Sequence, residues 1–252
     1  MHNALAESGT TSKLNGNQLK LIAILAMTID HLAWTFYPGY QTGAIPIIMH
    51  LMGRLTAPIM WYFVAEGFFY TKNLKKYIMR MFLFAIVSHF AYALMFQKDL
   101  IPFQNDIFDQ TSVMWALAWV LVALSIEKSE NLKLKPWMKN LAMLLIWIIT
   151  FCADWSSIAV LAIVHIGKYR GNFKRQMTGM VLYVVIYATV YALFLNPLYG
   201  LMQMAVALSI PVLYLYNGEK GKWKGMKWLF YIYYPAHLTI LGLVRIFILS
   251  SN

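Results

Sequence analysis

Apolar residues run through this chain in blocks longer than the core of a soluble domain needs. Blocks near 19–38, 44–70, 76–97, 112–126, 138–153, 155–168, 177–195, 198–216 and 227–249 are broken by few charges. About 20 such residues cross a bilayer as a helix, and fewer suffice where the flanking side chains snorkel. A helix satisfies its own backbone hydrogen bonds in hydrocarbon, so each block is predicted to be helical. The pattern predicts an all-α, polytopic transmembrane helix bundle of about nine spans. The fifth and sixth are joined only by a tight turn around Asp154-Trp155. The organisation is a polar N-terminal tail, 1–16, followed by a single transmembrane domain, 17–252.

Charge alternates between successive loops. Lys13 and Lys20 precede the first block; Lys72, Lys75, Lys76 and Arg80 follow the second; Lys128, Lys133, Lys135 and Lys139 follow the fourth. Lys168, Arg170, Lys174 and Arg175 follow the sixth, and Lys220, Lys222, Lys224 and Lys227 follow the eighth. The intervening loops are poor in cations: 39–43 has none, and 98–111 sets Asp99, Asp106 and Asp109 against Lys98. The positive-inside rule then predicts a cytoplasmic N-terminus and an external C-terminus. An odd number of spans requires the same result.

Composition agrees. Of 252 residues, 60% are hydrophobic and only 12% charged, where a soluble domain carries about 25% charge. The 9 Trp and 16 Tyr suit rings that settle at the headgroup level. A net charge of +11 is spread over short loops rather than gathered on a soluble surface, which argues against nucleic-acid binding. The single Cys152 rules out an internal disulfide framework and a multi-cysteine zinc site. The first block carries Asp30-His31 and no small-residue cleavage site, so it reads as a retained span.

Ionisable groups at membrane depth are costly unless they pair or do chemistry, which makes each one informative. Asp30 and His31 are consecutive, so on a helix they point roughly 100° apart and each needs a partner elsewhere. Arg54 stands in Gly53-Arg54-Leu55-Thr56-Ala57-Pro58, at a depth comparable with Asp30, so a structural Asp30–Arg54 ion pair competes with a chemical role. Pro58 frees a carbonyl one turn back and is expected to kink that span. Glu66 lies near the cytoplasmic end of the same span, able to snorkel, to pair with Arg80, or to line an entrance. His237 follows Tyr234-Pro235-Ala236 halfway along the last span and suits a general base. For Asp154 a solvated turn is the cheaper explanation. His50, His89 and His165 read as lone, satisfied helix-face histidines, although His165 lies close enough to Lys168 and Arg170 to meet an anionic ligand. There is no phosphate-binding GxxxxGK[ST] loop, no HExxH and no GxSxG elbow, and the six His lack ligand spacing, so no metal is expected.

Leu19-Lys20-Leu21-Ile22-Ala23-Ile24, running on to Met27-Thr28-Ile29-Asp30-His31, resembles the opening of the TraX family. Gly53-Arg54 with Pro58, Glu66-Gly67-Phe68-Phe69, and Thr71-Lys72-Asn73-Leu74-Lys75-Lys76-Tyr77 with Arg80 continue the likeness in order. Ala153-Asp154-Trp155 and Tyr234-Pro235-Ala236-His237-Leu238 extend it to about Leu249. One departure is Gln110-Thr111-Ser112-Val113, where the family pattern has a Gln-Asn element; this puts acceptor specificity in question.

That family is associated with N-acetylation of conjugative pilin. The resemblance implies a bacterial inner-membrane acetyltransferase that takes acetyl groups from cytoplasmic acetyl-CoA. Lys72, Lys75, Lys76 and Arg80, with Lys168 and Arg170, are expected to meet its phosphates, although topology alone also accounts for these cations. In this scheme His237 or His31 takes a proton from the acceptor. Asp30 orients that base, and Arg54 steadies an oxyanion or holds Asp30 ionised. The acceptor arrives near Asp154, with Glu66 and His165 as further contacts. It is an exported N-terminus, with a glycan or lipid hydroxyl as the alternative. A proton-coupled transporter and a non-catalytic assembly subunit are the competing classes.

Overall fold

In a computed structural model of the chain, residues 13–102, 104, 110–128 and 135–250 are described. Asp106, Asp109, Lys133 and most of the polar tail lie outside the described residues, as does the side chain of Lys227. The described residues are helical with two isolated β-bridges and no strand. Every apolar block of the sequence is helix: α1 (Gly16–Phe36), α2 (Ala44–Gly53), α3 (Thr56–Tyr70), α4 (Leu74–Phe96), α5 (Val113–Lys128) and α6 (Pro136–Thr150). There follow α7 (Ser156–Lys168), α8 (Phe173–Phe194), α9 (Pro197–Met202), a 3₁₀ segment (Gln203–Leu208), α10 (Ser209–Tyr214) and α11 (Met226–Ser250).

Among the described residues, six helical stretches are long and apolar enough to cross a membrane: Gly16–Phe36, Ala44–Tyr70, Leu74–Phe96, Phe173–Phe194, Pro197–Tyr214 and Trp228–Ile248. Pro136–Thr150 and Ser156–Lys168 are apolar but shorter. At 1.5 Å per residue α5, α6 and α7 reach only about 20–24 Å, against a hydrocarbon core of about 30 Å. The first helix begins three residues before its apolar block. Asn15 accepts from the backbone N–H groups of Asn17 and Gln18 while the Gln18 side chain accepts from the Asn15 N–H, a complete capping box.

The second block is interrupted. It breaks at Arg54-Leu55, one turn before Pro58. Proline lacks the N–H that would bond the Arg54 carbonyl and crowds that carbonyl, so the discontinuity falls where the ring dictates.

The chain forms two compact units, Met1–Phe63 with His165–Phe230, and Val64–Val164 with Tyr231–Asn252. Within the first, α1 packs on α2, and α8 packs on α9 and the 3₁₀ segment. Leu14 pairs with Tyr216, and the Gly16 N–H donates to the Glu219 carbonyl at 2.7 Å, tying the start of α1 to the loop after α10. Within the second, α5 is the inner element, packed on α4 and α6, and much of its surface is buried. Thr111 bridges Ala153 at the turn between α6 and α7, where Trp155 and Ser156 both adopt left-handed backbone, φ 64 and 49.

Candidate functional site

The first unit holds a polar cluster inside apolar surroundings. Asp30 on α1 reaches α2, where Nδ1 of His50 lies 2.9 Å from its Oδ1. Arg54, at the end of α2, donates from Nη2 to the same Oδ1 at 3.0 Å. Its Nη1 donates to Oε1 of Gln203 at 2.9 Å, and its Nε donates to the His50 carbonyl at 3.3 Å, capping the α2 C-terminus. One guanidinium therefore ties together α1, α2 and the 3₁₀ segment. Gly53 makes the approach feasible, because a Cβ there would fall within the space that the Asp30 side chain occupies.

A carboxylate only accepts, so His50 carries its proton on Nδ1 and presents the lone pair of Nε2. The ring is fully buried, 0% exposed, and Nε2 has no hydrogen-bond partner. Trp34, one turn beyond Asp30, lies against the imidazole with centroids 4.7 Å apart, and Tyr199 meets it edge-on at 5.3 Å. Tyr199 in turn donates from its hydroxyl to the Gln41 carbonyl at 3.0 Å and contacts the Tyr40 ring at 4.8 Å. A carboxylate-oriented imidazole with its second nitrogen held in a dry setting has the make-up of a general base.

The other residues singled out in this unit lie elsewhere. His31 is buried on α1, on a different face from Asp30. His165 donates from Nε2 to the Arg175 carbonyl at 3.1 Å, its ring lodged against Gly179, which has no Cβ to exclude it. That contact ties α7 to α8 and takes up the nitrogen an anionic ligand would use. Lys168 and Arg170 are exposed at the adjoining turn.

The second unit carries the rest. Lys72, Lys75 and Lys76 are exposed around the start of α4, where Asn73 caps the helix by accepting from the Lys76 N–H at 2.9 Å. Arg80 is half-buried, its guanidinium over the rings of Tyr77 at 5.5 Å and Tyr231 at 5.3 Å. Glu66 is buried on α3. His237 is buried; Nδ1 donates to the Tyr233 carbonyl at 2.8 Å, and the ring stacks on Tyr233 at 4.9 Å. Tyr234 lies edge-on to His237 at 5.7 Å. Asp154 donates its N–H to the Thr111 carbonyl at 2.8 Å and is half-buried rather than fully solvated.

The sequence reading passed over three contributors. His50 is no lone helix-face histidine, since it is the imidazole partner of Asp30. Its signal was present: it stands four residues before Arg54, so both fall on one helix face. Gln203 gave none, being a neutral amide in an apolar block. Gly53 was noted only as part of a motif. Among the described residues no group of three or more His, Cys, Asp or Glu could hold a metal ion.

These features define a multi-pass membrane protein with a carboxylate–imidazole–guanidinium cluster whose imidazole is buried and whose two charged partners are partly buried. The family model described as "TraX protein" matches residues 15–245, and the chain belongs to that family. A probable fimbrial assembly protein FimC (serogroup H1) of Dichelobacter nodosus is 30% identical over 246 residues, covering 92% of this chain and 96% of the relative. An uncharacterized protein of Rickettsia prowazekii is 27% identical over 124 residues, 41% of this chain and 48% of that protein. No solved structure matches the chain.

Proposed function

We propose that this chain is an acetyltransferase of the bacterial inner membrane that moves an acetyl group from cytoplasmic acetyl-CoA to an amine on an exported protein, such as a pilin N-terminus. The observation that carries the reading is Asp30 clamped between Arg54 and His50, which leaves Nε2 of His50 as the basic nitrogen. Family membership and a relative named for fimbrial assembly support the choice of acceptor. The loop charges support a cytoplasmic N-terminus, an external C-terminus and nine crossings, the short α5, α6 and α7 crossing where other helices and snorkelling residues shield them.

Acetyl-CoA, when bound, supplies the acetyl group as a thioester. The chemistry of the cations fits its phosphates: Lys72, Lys75 and Lys76 are exposed beside the positive end of α4. Nε2 of His50 takes the proton that the acceptor nitrogen loses as it bonds to the acetyl carbon. As the carbon–sulfur bond breaks, the departing sulfur takes that proton from His50 and leaves as the thiol. Asp30 holds the ring in the required tautomer and stabilises its cation. Arg54 keeps Asp30 ionised, the second of the two roles considered for it. In place of His31 or His237, His50 is the base in this scheme, because Asp30 contacts it directly.

Mass spectrometry of exported proteins and surface glycans, from cells with and without this chain, tests the proposal. Loss of an N-terminal acetyl group from an exported protein is the expected result. Unchanged protein acetylation with loss of acetyl esters from glycan or lipid would move the acceptor to a hydroxyl, and no change in either would remove the enzymatic reading.

A further inference from the structure

The ring of His50 is fully enclosed, yet the side chains that enclose it lead step by step to an exposed loop. Residues 38–43, between α1 and α2, are all exposed. Within this loop Tyr40 turns inward, 41% exposed, with its ring 4.8 Å from that of Tyr199 and 6.3 Å from that of Trp34. Its hydroxyl lies 3.2 Å from the hydroxyl of Tyr191 on α8, and their rings meet edge-on at 6.3 Å. Tyr199 and Trp34 are the rings packed on His50. His50 itself stands six residues into α2, about 9 Å along the axis from the loop. Glycines stand at both ends of the loop: Gly39 has φ +80, where an added Cβ would meet nothing within 4 Å, and Gly43 is the N-cap residue of α2.

We propose that Tyr40 is the gate of the path by which the acceptor reaches Nε2 of His50. This rests on His50 being the base. Closed, the Tyr40 ring covers Tyr199 and keeps water from the imidazole, which preserves the dry setting a base–carboxylate pair needs. Open, the loop turns about Gly39 and Gly43 and draws Tyr40 away from Tyr191 and Tyr199. The same movement parts the Tyr199 hydroxyl from the Gln41 carbonyl, so Tyr199 swings from the imidazole and an acceptor enters from the side that bears the loop. The latch consists of the Tyr40–Tyr191 hydroxyl contact and the aromatic pairs, interactions that an incoming polypeptide end can replace.

Diethyl pyrocarbonate, which acylates an accessible neutral imidazole nitrogen, reads the gate without requiring acetyl transfer. The full chain in detergent micelles is treated, and modification of His50 and His237 is followed by peptide mass spectrometry in wild type, Tyr40→Ala and Tyr191→Phe. Removing three ring pairs and one hydroxyl contact from the closed state is expected to speed His50 modification at least about tenfold in Tyr40→Ala. Tyr191→Phe, which loses the hydroxyl alone, gives a smaller increase, and His237 keeps its wild-type rate in both. Equal His50 rates in all three proteins would overturn the gate. Should Tyr40→Ala lose its thermal transition, Tyr191→Phe decides alone. Faster His50 modification in a protein that transfers no acetyl group would uphold the gate and sink the enzymatic reading, so the two fail separately.

Discussion

Nδ1 of His50 and Oδ1 of Asp30 stand 2.9 Å apart across the packing of α1 on α2, and the same oxygen receives Arg54 at 3.0 Å. The guanidinium sets a positive charge against the carboxylate in an apolar setting, and the carboxylate orients the imidazole. Neither histidine–acid nor arginine–acid contact alone would do both.

Asp30 and Arg54 should be thermodynamically coupled. Asp30→Asn or Arg54→Gln alone leaves an uncompensated buried charge, at a cost of about 3–5 kcal/mol. The double variant should lose less than the sum of the singles, as measured by unfolding in detergent. Additive losses would mean that the pair does not interact in the folded protein.

Gly53→Ala tests how closely α1 and α2 approach. The added methyl group would occupy the space of the Asp30 side chain, so overpacking should cost about 1–3 kcal/mol and lower acetyl transfer. Gly43→Ala is the control: its added methyl group would lie 3.6 Å from Pro46 and should be tolerated. Equal stability of both variants would contradict the described contact.

Two of the buried histidines, His50 and His237, should differ in effect. His237 is oriented by a backbone carbonyl and not by a carboxylate, so His237→Gln should lower transfer about tenfold, below the range for a general base. A larger loss there than at His50 would place the base on α11.

Helix was legible throughout, because long apolar blocks leave the backbone no other way to satisfy itself. Even the interruption of the second block could be anticipated from Pro58, although its location at Arg54-Leu55 also positions the guanidinium. The ion pair between Asp30 and Arg54 followed from the cost of leaving either alone in hydrocarbon. His50 as the second partner of Asp30 was only hinted at, by its spacing of four from Arg54. A histidine surrounded by Ile, Met and Leu looks the same whether it faces a carboxylate or lipid, and only the packing of α1 on α2 separates the two. Gln203 stayed hidden for a related reason: its value lies in which arginine it meets. His165 shows the converse, a histidine beside cations whose ring serves to join two helices.

Topology can be read with the native cysteine replaced. In a Cys152→Ser background, Gln41→Cys should react with a membrane-impermeant maleimide added outside intact spheroplasts. Lys222→Cys should react only after lysis. Labelling of both from one side would contradict the proposed orientation.

The most direct measurement is transfer of labelled acetyl groups from acetyl-CoA to an exported-protein N-terminal peptide, by the purified chain in liposomes, with and without His50→Gln. Transfer by the wild type, falling about 10²–10⁴-fold in a variant that still inserts and melts normally, is the expected result. Full activity in His50→Gln would contradict the role assigned to the Asp30–His50 pair.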